Sequence, residues 1–397
     1  MSHKEKVFMY VLGSLPFVMV VGNSMFLPIL PSLEEALSIS SSEAGFILTA
    51  FSIPAALIIP FVGYLADRFG KKNIILLSLL LVMIGSIISS IAPIINATTI
   101  SYYLLLIGRL IQGFGAGGTT PLAMSIISDY FQGEKRSTAL GTVEVFNGIG
   151  KMVSPFLGIA ALAIVWHSTF WFYFLFSCIT FVCIFYIVKE DTGNRNIKLA
   201  KYGKGVYKLV KKEYKWLMPI YFSGSTVLFI LFGLLVYLAY EAEIVYQVTG
   251  VYKGILFLVP LGTLTGASYS SSRFIAGQKR NAYVMIVAAF FIMFVGIIIG
   301  ILSHSFTILV LTLMFVSIGT GLLLPCCNFF VTSSVFNHER GTALSLYGMV
   351  RFLGVALGPY FYSMWMYDER EMFIYTFIIL LFGVVWLYVG WITINKK

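Results

Sequence analysis

Four ionisable side chains stand inside long apolar runs of this chain: Arg109, Glu144, Lys151 and Arg351. A charge near the centre of a bilayer costs about 2.5 to 3.5 kcal/mol even on the lenient insertion scale, so such residues are expected to face a cavity or one another. Glu144 and Lys151 are seven positions apart, two helical turns, which sets them on one face with Asn147 between them. Glu144 is the one acid of the four and therefore the candidate for proton coupling. Three cations against one carboxylate favour anionic or zwitterionic cargo, and Asn23 and Gln112 extend the polar set that would line a substrate pathway. A competing reading pairs Glu144 with Lys151 and leaves Arg109 in a structural hydrogen-bond network. The sequence leaves both open.

Such residues need long apolar elements to hold them. Of 397 residues, 59% are hydrophobic and 11% charged, with a mean hydropathy of +0.91. A water-soluble domain carries about a quarter charged residues, so the composition specifies an integral membrane protein. The net charge of +10 does not argue for nucleic acid, because the basic residues sit in short clusters between apolar runs, as topology signals do. Cys178, Cys183, Cys326 and Cys327 lie in apolar runs with no Cys/His cluster that could hold a metal, and read as buried thiols. No cofactor is expected.

Runs of the roughly 20 residues needed to cross a bilayer occur twelve times, near 7–30, 44–64, 73–94, 102–127, 138–164, 169–188, 216–240, 254–270, 284–302, 306–331, 342–364 and 372–392. The eighth is the most diluted, by Gly262, Gly266 and the serine-rich run Ser268 to Ser272. The opening segment, Met1 to Lys6, shows no cleavage site and reads as the lead-in to a retained span. With a cytoplasmic N-terminus, the inner segments hold 22 of the 27 basic residues, the outer loops only Lys253 and Arg370, and both termini lie inside. The polar stretch 189–215, with nine basic residues, would then be a cytoplasmic linker between six-helix bundles at 1–188 and 216–397, either solvated or as a basic amphipathic helix on the inner leaflet.

A repeat supports two halves. Shifted by 204 positions without a gap, Gly115, Gly117, Pro121, Arg136, Thr138, Ala139, Leu140, Gly150 and Pro155 meet Gly319, Gly321, Pro325, Arg340, Thr342, Ala343, Leu344, Gly354 and Pro359. Arg351 falls in the place of Asn147. This is the pattern of a duplicated membrane bundle whose halves rock around a site near the midplane. The GxxxG pairs Gly113/Gly117 and Gly354/Gly358 predict close helix approach at equivalent places in the two halves. Pro155 and Pro359, matched in the repeat, are candidates for a hinge or gate.

Gly63-Tyr-Leu-Ala-Asp67-Arg68-Phe-Gly70-Lys-Lys72, in the turn after the second run, combines glycines for a tight turn with a carboxylate among cations that can pair with or cap a neighbouring helix. This stretch resembles the signature between helices two and three of the major facilitator superfamily. Leu106 to Gly113, with Arg109 and Gln112, is similar to the fourth-helix motif of that family's drug:proton antiporters. Gly150 to Gly158 is similar to the fifth-helix antiporter motif, with Ser154 where glycine is expected, Ile159 in place of a closing glycine, and Lys151 adding a charge. The resemblance spans all twelve helices. It implies an all-α integral membrane protein of twelve transmembrane helices in two pseudo-symmetric six-helix bundles, working by alternating access as a monomer in the cell membrane, with export driven by proton entry. Gly63, Asp67, Arg68 and Gly70 would then gate the inner face.

No catalytic nucleophile with its base, paired catalytic carboxylates or phosphate-binding loop is present, so neither a soluble enzyme nor an ATP-driven pump is expected. The expected function is secondary active efflux of a drug-like or amphiphilic small molecule. The alternative is a dedicated exporter of an anionic or zwitterionic metabolite such as a siderophore or metallophore. A non-transporting membrane receptor is disfavoured by the missing soluble domain. Most of the aromatics at 170–174 read as belt or lipid-facing residues.

Overall fold

The computed structural model describes residues 2–95, 98–189, 199–275, 278–303, 305–335 and 339–394, and among these every regular element is helical. The chain divides into two compact units, Met1–Tyr202 and Gly203–Lys397. The first holds α1 (His3–Ser24), α2 (Leu30–Leu37), α3 (Ser41–Phe69), α4 (Lys71–Ile91), α5 (Thr98–Tyr130), α6 (Gly133–Leu162) and α7 (Ser168–Ile187). Short α2 extends the first span after a 3-10 turn at Leu27–Ile29, leaving six crossings. The second unit is built from α8 (Leu199–Tyr240), α9 (Gly250–Ile275), α10 (Lys279–Leu302), α11 (Phe306–Ser334), α12 (Arg340–Trp365) and α13 (Glu369–Ile394).

Eleven crossings among the described residues are long and apolar enough to span a bilayer by length and composition. The twelfth is α5, which has ample length but is diluted by Arg109, Gln112 and its glycines. The weak span is therefore the fourth, and the eighth is sound. Dilution in α5 comes from the residues that hold the first unit together.

Reciprocal capping boxes start two of these helices. Ser2 and Glu5 form a reciprocal capping box on α1, and Ser40 and Glu43 form one on α3. Gly70 ends α3 and begins α4 at φ 89° and ψ 139°, a region that side chains with a Cβ enter at a cost of about 1–3 kcal/mol. Gly70→Ala should lower stability by that amount in a detergent melt, and an unchanged midpoint would contradict the assignment of strain to this turn.

Within the first unit, the start of α1, the α3–α4 turn, the α5–α6 turn and the end of α7 meet at one end. Glu5 takes Lys135 at 3.0 Å, Lys71 pairs with Asp129, Lys72 donates to the Phe185 carbonyl at 2.7 Å, and the Phe8 ring lies 4.5 Å from that of Tyr130. At the opposite end the Tyr102 hydroxyl donates to the Glu43 carbonyl at 3.1 Å, and Phe26 meets Phe170 at 5.0 Å. An up-and-down bundle requires this alternation.

The two units use one internal packing scheme. In the first, Gly115 presses α5 onto the Ser78 carbonyl of α4, and Gly117 presses it onto the Ala55 carbonyl of α3. In the second, Gly319 sets α11 on the Ala289 carbonyl of α10, and Gly321 sets it on the Leu264 carbonyl of α9. Gly150 brings α6 against Phe17 and Val20 of α1, while Gly354 brings α12 against the Ser225 carbonyl of α8. Six of the matched positions thus make three equivalent pairs of contacts.

Two sequence expectations need correction. The GxxxG pairs do mark close approaches, but at non-equivalent places: Gly113 and Gly117 join α5 to α3, whereas Gly354 and Gly358 join α12 to α8. Of the segment 189–215, expected either as a solvated linker or as a basic amphipathic helix, the part from Leu199 is helical and runs unbroken into the seventh span; residues 190–198 lie outside the described residues. Its inner face buries Leu209, Glu213 and Trp216, with Glu213 accepting the Trp216 indole N–H at 2.5 Å, so the spacing is that of a packed helical face. Lys253, placed in an outer loop from the charge pattern, sits in α9, 3% exposed and paired with Glu243.

Candidate functional site

Arg109 is the most completely enclosed charge of the first unit. Its side chain is fully buried, with Nε donating to the Ile47 carbonyl at 3.3 Å and Nη1 donating to the Gly22 carbonyl at 2.8 Å and to Gln112 Oε1 at 2.9 Å. Gln112 passes the chain of bonds on, its Nε2 donating to Ser86 at 3.1 Å. The guanidinium carbon lies 4.3 Å from the Phe26 ring centre and 4.5 Å from that of Phe51. Arg109 and Gln112 of α5 therefore tie α1, α3 and α4 together. Carbonyl dipoles and two aromatic faces offset its desolvation, and among the described residues no carboxylate bridges it.

Neither Arg109 nor Gln112 offers surface to a substrate in this structure, and Asn23 is only 4% exposed. That geometry matches the hydrogen-bond-network reading of Arg109. Sequence reasoning missed the partners Phe26, Phe51 and Tyr173. Of the aromatics at 170–174, Phe170 and Tyr173 are buried rather than lipid-facing, and Tyr173 packs against Gly22, the residue whose carbonyl Arg109 holds. The signal available was spacing: Tyr173 falls one turn from Phe170 and one from Ser177, and this polar or aromatic stripe forms the inner face of α7.

The other pathway candidates are more open. On α6, Asn147 Nδ2 donates to Glu144 Oε2 at 3.4 Å, Glu144 is exposed, and Asn147 and Lys151 are half-buried. Glu144 is flanked along the helix by buried Val143 and Gly148, so its opening interrupts a packed arc. Depth can be read from α1. Phe146 lies against Gly13, Gly150 against Phe17 and Val20, and Arg109 holds Gly22. Lys151 is thus about two to four residues of α1 from the Arg109 level, roughly 3–6 Å, whereas Glu144 is some 13 Å or more away. Similar depth holds for Arg109 and Lys151, and Glu144 stands apart from both.

In the second unit Arg351 is half-buried on α12, its guanidinium carbon 5.4 Å from the Tyr347 ring centre and its Nε buried without a hydrogen-bond partner among the described residues. Tyr347 is enclosed against Tyr221 at 5.7 Å and against Gly224 of α8. Each unit therefore packs an aromatic ring of its fifth helix on a glycine of its first, Phe146 on Gly13 and Tyr347 on Gly224.

The gating candidates divide. Gly70 is required by its backbone, and Arg68 is exposed, Nη1 donating to the Tyr64 hydroxyl at 3.2 Å with the guanidinium 5.2 Å from the Phe69 ring. Asp67 is half-buried, and Gly63 faces open space in which a Cβ would meet nothing within 4 Å. Pro155 and Pro359 are both buried inside unbroken helices. Ser154, beside Pro155, donates to the Gly150 carbonyl.

Among the described residues no group of three or more His, Cys, Asp or Glu could hold a metal ion. The sequence matches the family model for the Major Facilitator Superfamily over residues 12–359. A bacillibactin exporter of Bacillus subtilis (strain 168) is 34% identical over 88% of this chain and 87% of its own length. Multidrug resistance protein 2 of the same organism is 24% identical over 90% of this chain and 88% of its own. Among solved structures, the human organic anion transporter MFSD10 superposes with a TM-score of 0.73 at 18% identity, covering 98% of this chain and all of that one. A bacterial homologue of the human lysosomal transporter Spinster, inward-facing and unoccupied, also gives 0.73, at 15% identity, with 100% of this chain and 98% of that one covered. With that family match, the shared packing of the two units and the membrane-length helices, this chain is a multi-pass membrane protein of the Major Facilitator Superfamily.

Proposed function

We propose that the protein is a secondary active exporter that moves an anionic or zwitterionic organic molecule out of the cytoplasm, one unit rocking against the other. The observation that carries this is the placement of two partly open cations, Lys151 and Arg351, on the fifth helix of the first unit and the corresponding helix of the second. Efflux is supported by the bacillibactin exporter and the multidrug resistance relative, both similar over most of their length. Protons supply the driving force in this reading, through Glu144, whose carboxyl is open to a proton and held by Asn147. The protein acts as a monomer in the cell membrane with both termini cytoplasmic, and Asp67 with Arg68 and Gly70 gates the inner face.

Broad drug export is the second reading, favoured by the resistance relatives. The two differ at Lys151. A hydrogen bond to a charged group contributes about 1.5–3 kcal/mol, so Lys151→Ala or Arg351→Ala should weaken competition by carboxylated substrates at least tenfold in reconstituted vesicles while sparing neutral ones. Equal loss for every substrate class would favour the broad reading. Glu144→Gln should abolish counterflow that depends on a pH gradient in protein that still folds; retained pH dependence would remove Glu144 from that role.

A further inference from the structure

The Arg109 network leaves donors over. Nε and Nη1 are used, but Nη2 is buried without a hydrogen-bond partner among the described residues. The hydroxyl of Tyr173, fully buried, has none either. Tyr173 reaches this place because residue 22 is glycine: a Cβ there would collide with the end of the phenol ring, and the carbonyl of the same residue accepts Nη1 at 2.8 Å. Next along α1, the amide of Asn23 is buried with both its polar atoms unpartnered. Buried polar groups in native proteins are almost always paired, so the orphaned atoms of Arg109 and Tyr173, both against Gly22, mark a place suited to a small polar ligand.

Charge decides what kind of occupant. Arg109 is a cation sealed in the bundle, and among the described residues its hydrogen-bond and ring partners are carbonyls, an amide oxygen and aromatic faces. A water molecule would take the hydrogen bonds but bring no negative charge to add to the carbonyl dipoles and ring faces. A monovalent anion would do both, accepting from Nη2 and the Tyr173 hydroxyl. We propose that the first unit holds a small monovalent inorganic anion, chloride in size and charge, between Arg109 Nη2 and the Tyr173 hydroxyl, in the position a carboxylate partner would otherwise fill. The site lies wholly within Met1–Tyr202 and uses neither Lys151 nor Arg351, so it does not depend on the nature of the cargo.

The test is the melting midpoint of the purified full-length protein in detergent, titrated with sodium chloride against sodium gluconate at constant ionic strength. Wild type should show a saturable rise with chloride, and bromide should reproduce it. Tyr173→Phe, which keeps the ring and removes the donor, should shift the half-saturating concentration upward by about tenfold or more. A second, variant-free arm locates bromide by anomalous scattering in crystals of the wild-type protein, where a peak within hydrogen-bond reach of Arg109 Nη2 is expected. No saturable anion effect, an effect unchanged in Tyr173→Phe, or an ordered water in place of the bromide peak would each overturn the proposal.

Discussion

Arg109→Lys should destabilise the protein by about 3 kcal/mol or more, although it keeps the charge. Lysine retains the desolvation cost of a buried cation but loses the planar fork that reaches three acceptors on three sides. The carbonyls of Ile47 and Gly22 and the amide oxygen of Gln112 cannot all be met by one ammonium group, and each orphaned acceptor costs about 1–3 kcal/mol. Flat stacking between Phe26 and Phe51 is lost as well. The measurement is the detergent melting midpoint together with the fraction of protein eluting as a folded species. A variant melting with wild type would contradict the role of Arg109 as the tie between α1, α3 and α5.

Gly113→Val should be worse still. A Cβ at position 113 falls on the carbonyl oxygen of Phe51, which is backbone and cannot swing aside, so α3 and α5 would have to part. Overpacking that a flexible side chain can absorb costs about 1–3 kcal/mol, and a backbone clash exceeds that range. Moving α3 also withdraws the Phe51 ring from Arg109, so one substitution opens both the helix contact and the polar network. Loss of folded protein on expression is expected. Gly63→Ala supplies the contrast, because a Cβ there meets nothing, and its stability should stay within about 0.5 kcal/mol of wild type.

These two glycines illustrate what a sequence discloses. The membrane class and the all-helical fold were legible because apolar run length and an ungapped repeat are one-dimensional signals, and the family was legible through the resemblance of the motifs at 63–72, 106–113 and 150–158. Gly115 and Gly319 could be matched without knowing what they touch, and they touch equivalent carbonyls. Gly113 and Gly63 look alike in sequence, yet one presses on backbone and the other faces open space. The error over the GxxxG pairs arose in the same way: the motif predicts a close approach but does not name the helix approached.

The site was less legible for a different reason. Arg109, Lys151 and Arg351 stand out as charges in apolar runs, but whether a charge is sealed or open depends on neighbours distant in the chain. Phe26 and Phe51, remote from position 109 in sequence, enclose its guanidinium. Tyr173 was hidden in a run of aromatics whose members differ only by the face of α7 they occupy. Lys253 was misplaced because loop charge and buried ion pair look the same until Glu243 is brought beside it.

The most direct measurement is uptake into inverted membrane vesicles under an imposed pH gradient, acidic inside, comparing a carboxylated chelator with a lipophilic cationic dye. The account predicts gradient-dependent accumulation of the chelator, weaker transport of the dye, and loss of that preference in the double variant Lys151→Ala, Arg351→Ala. Accumulation of the dye with exclusion of the chelator would contradict it.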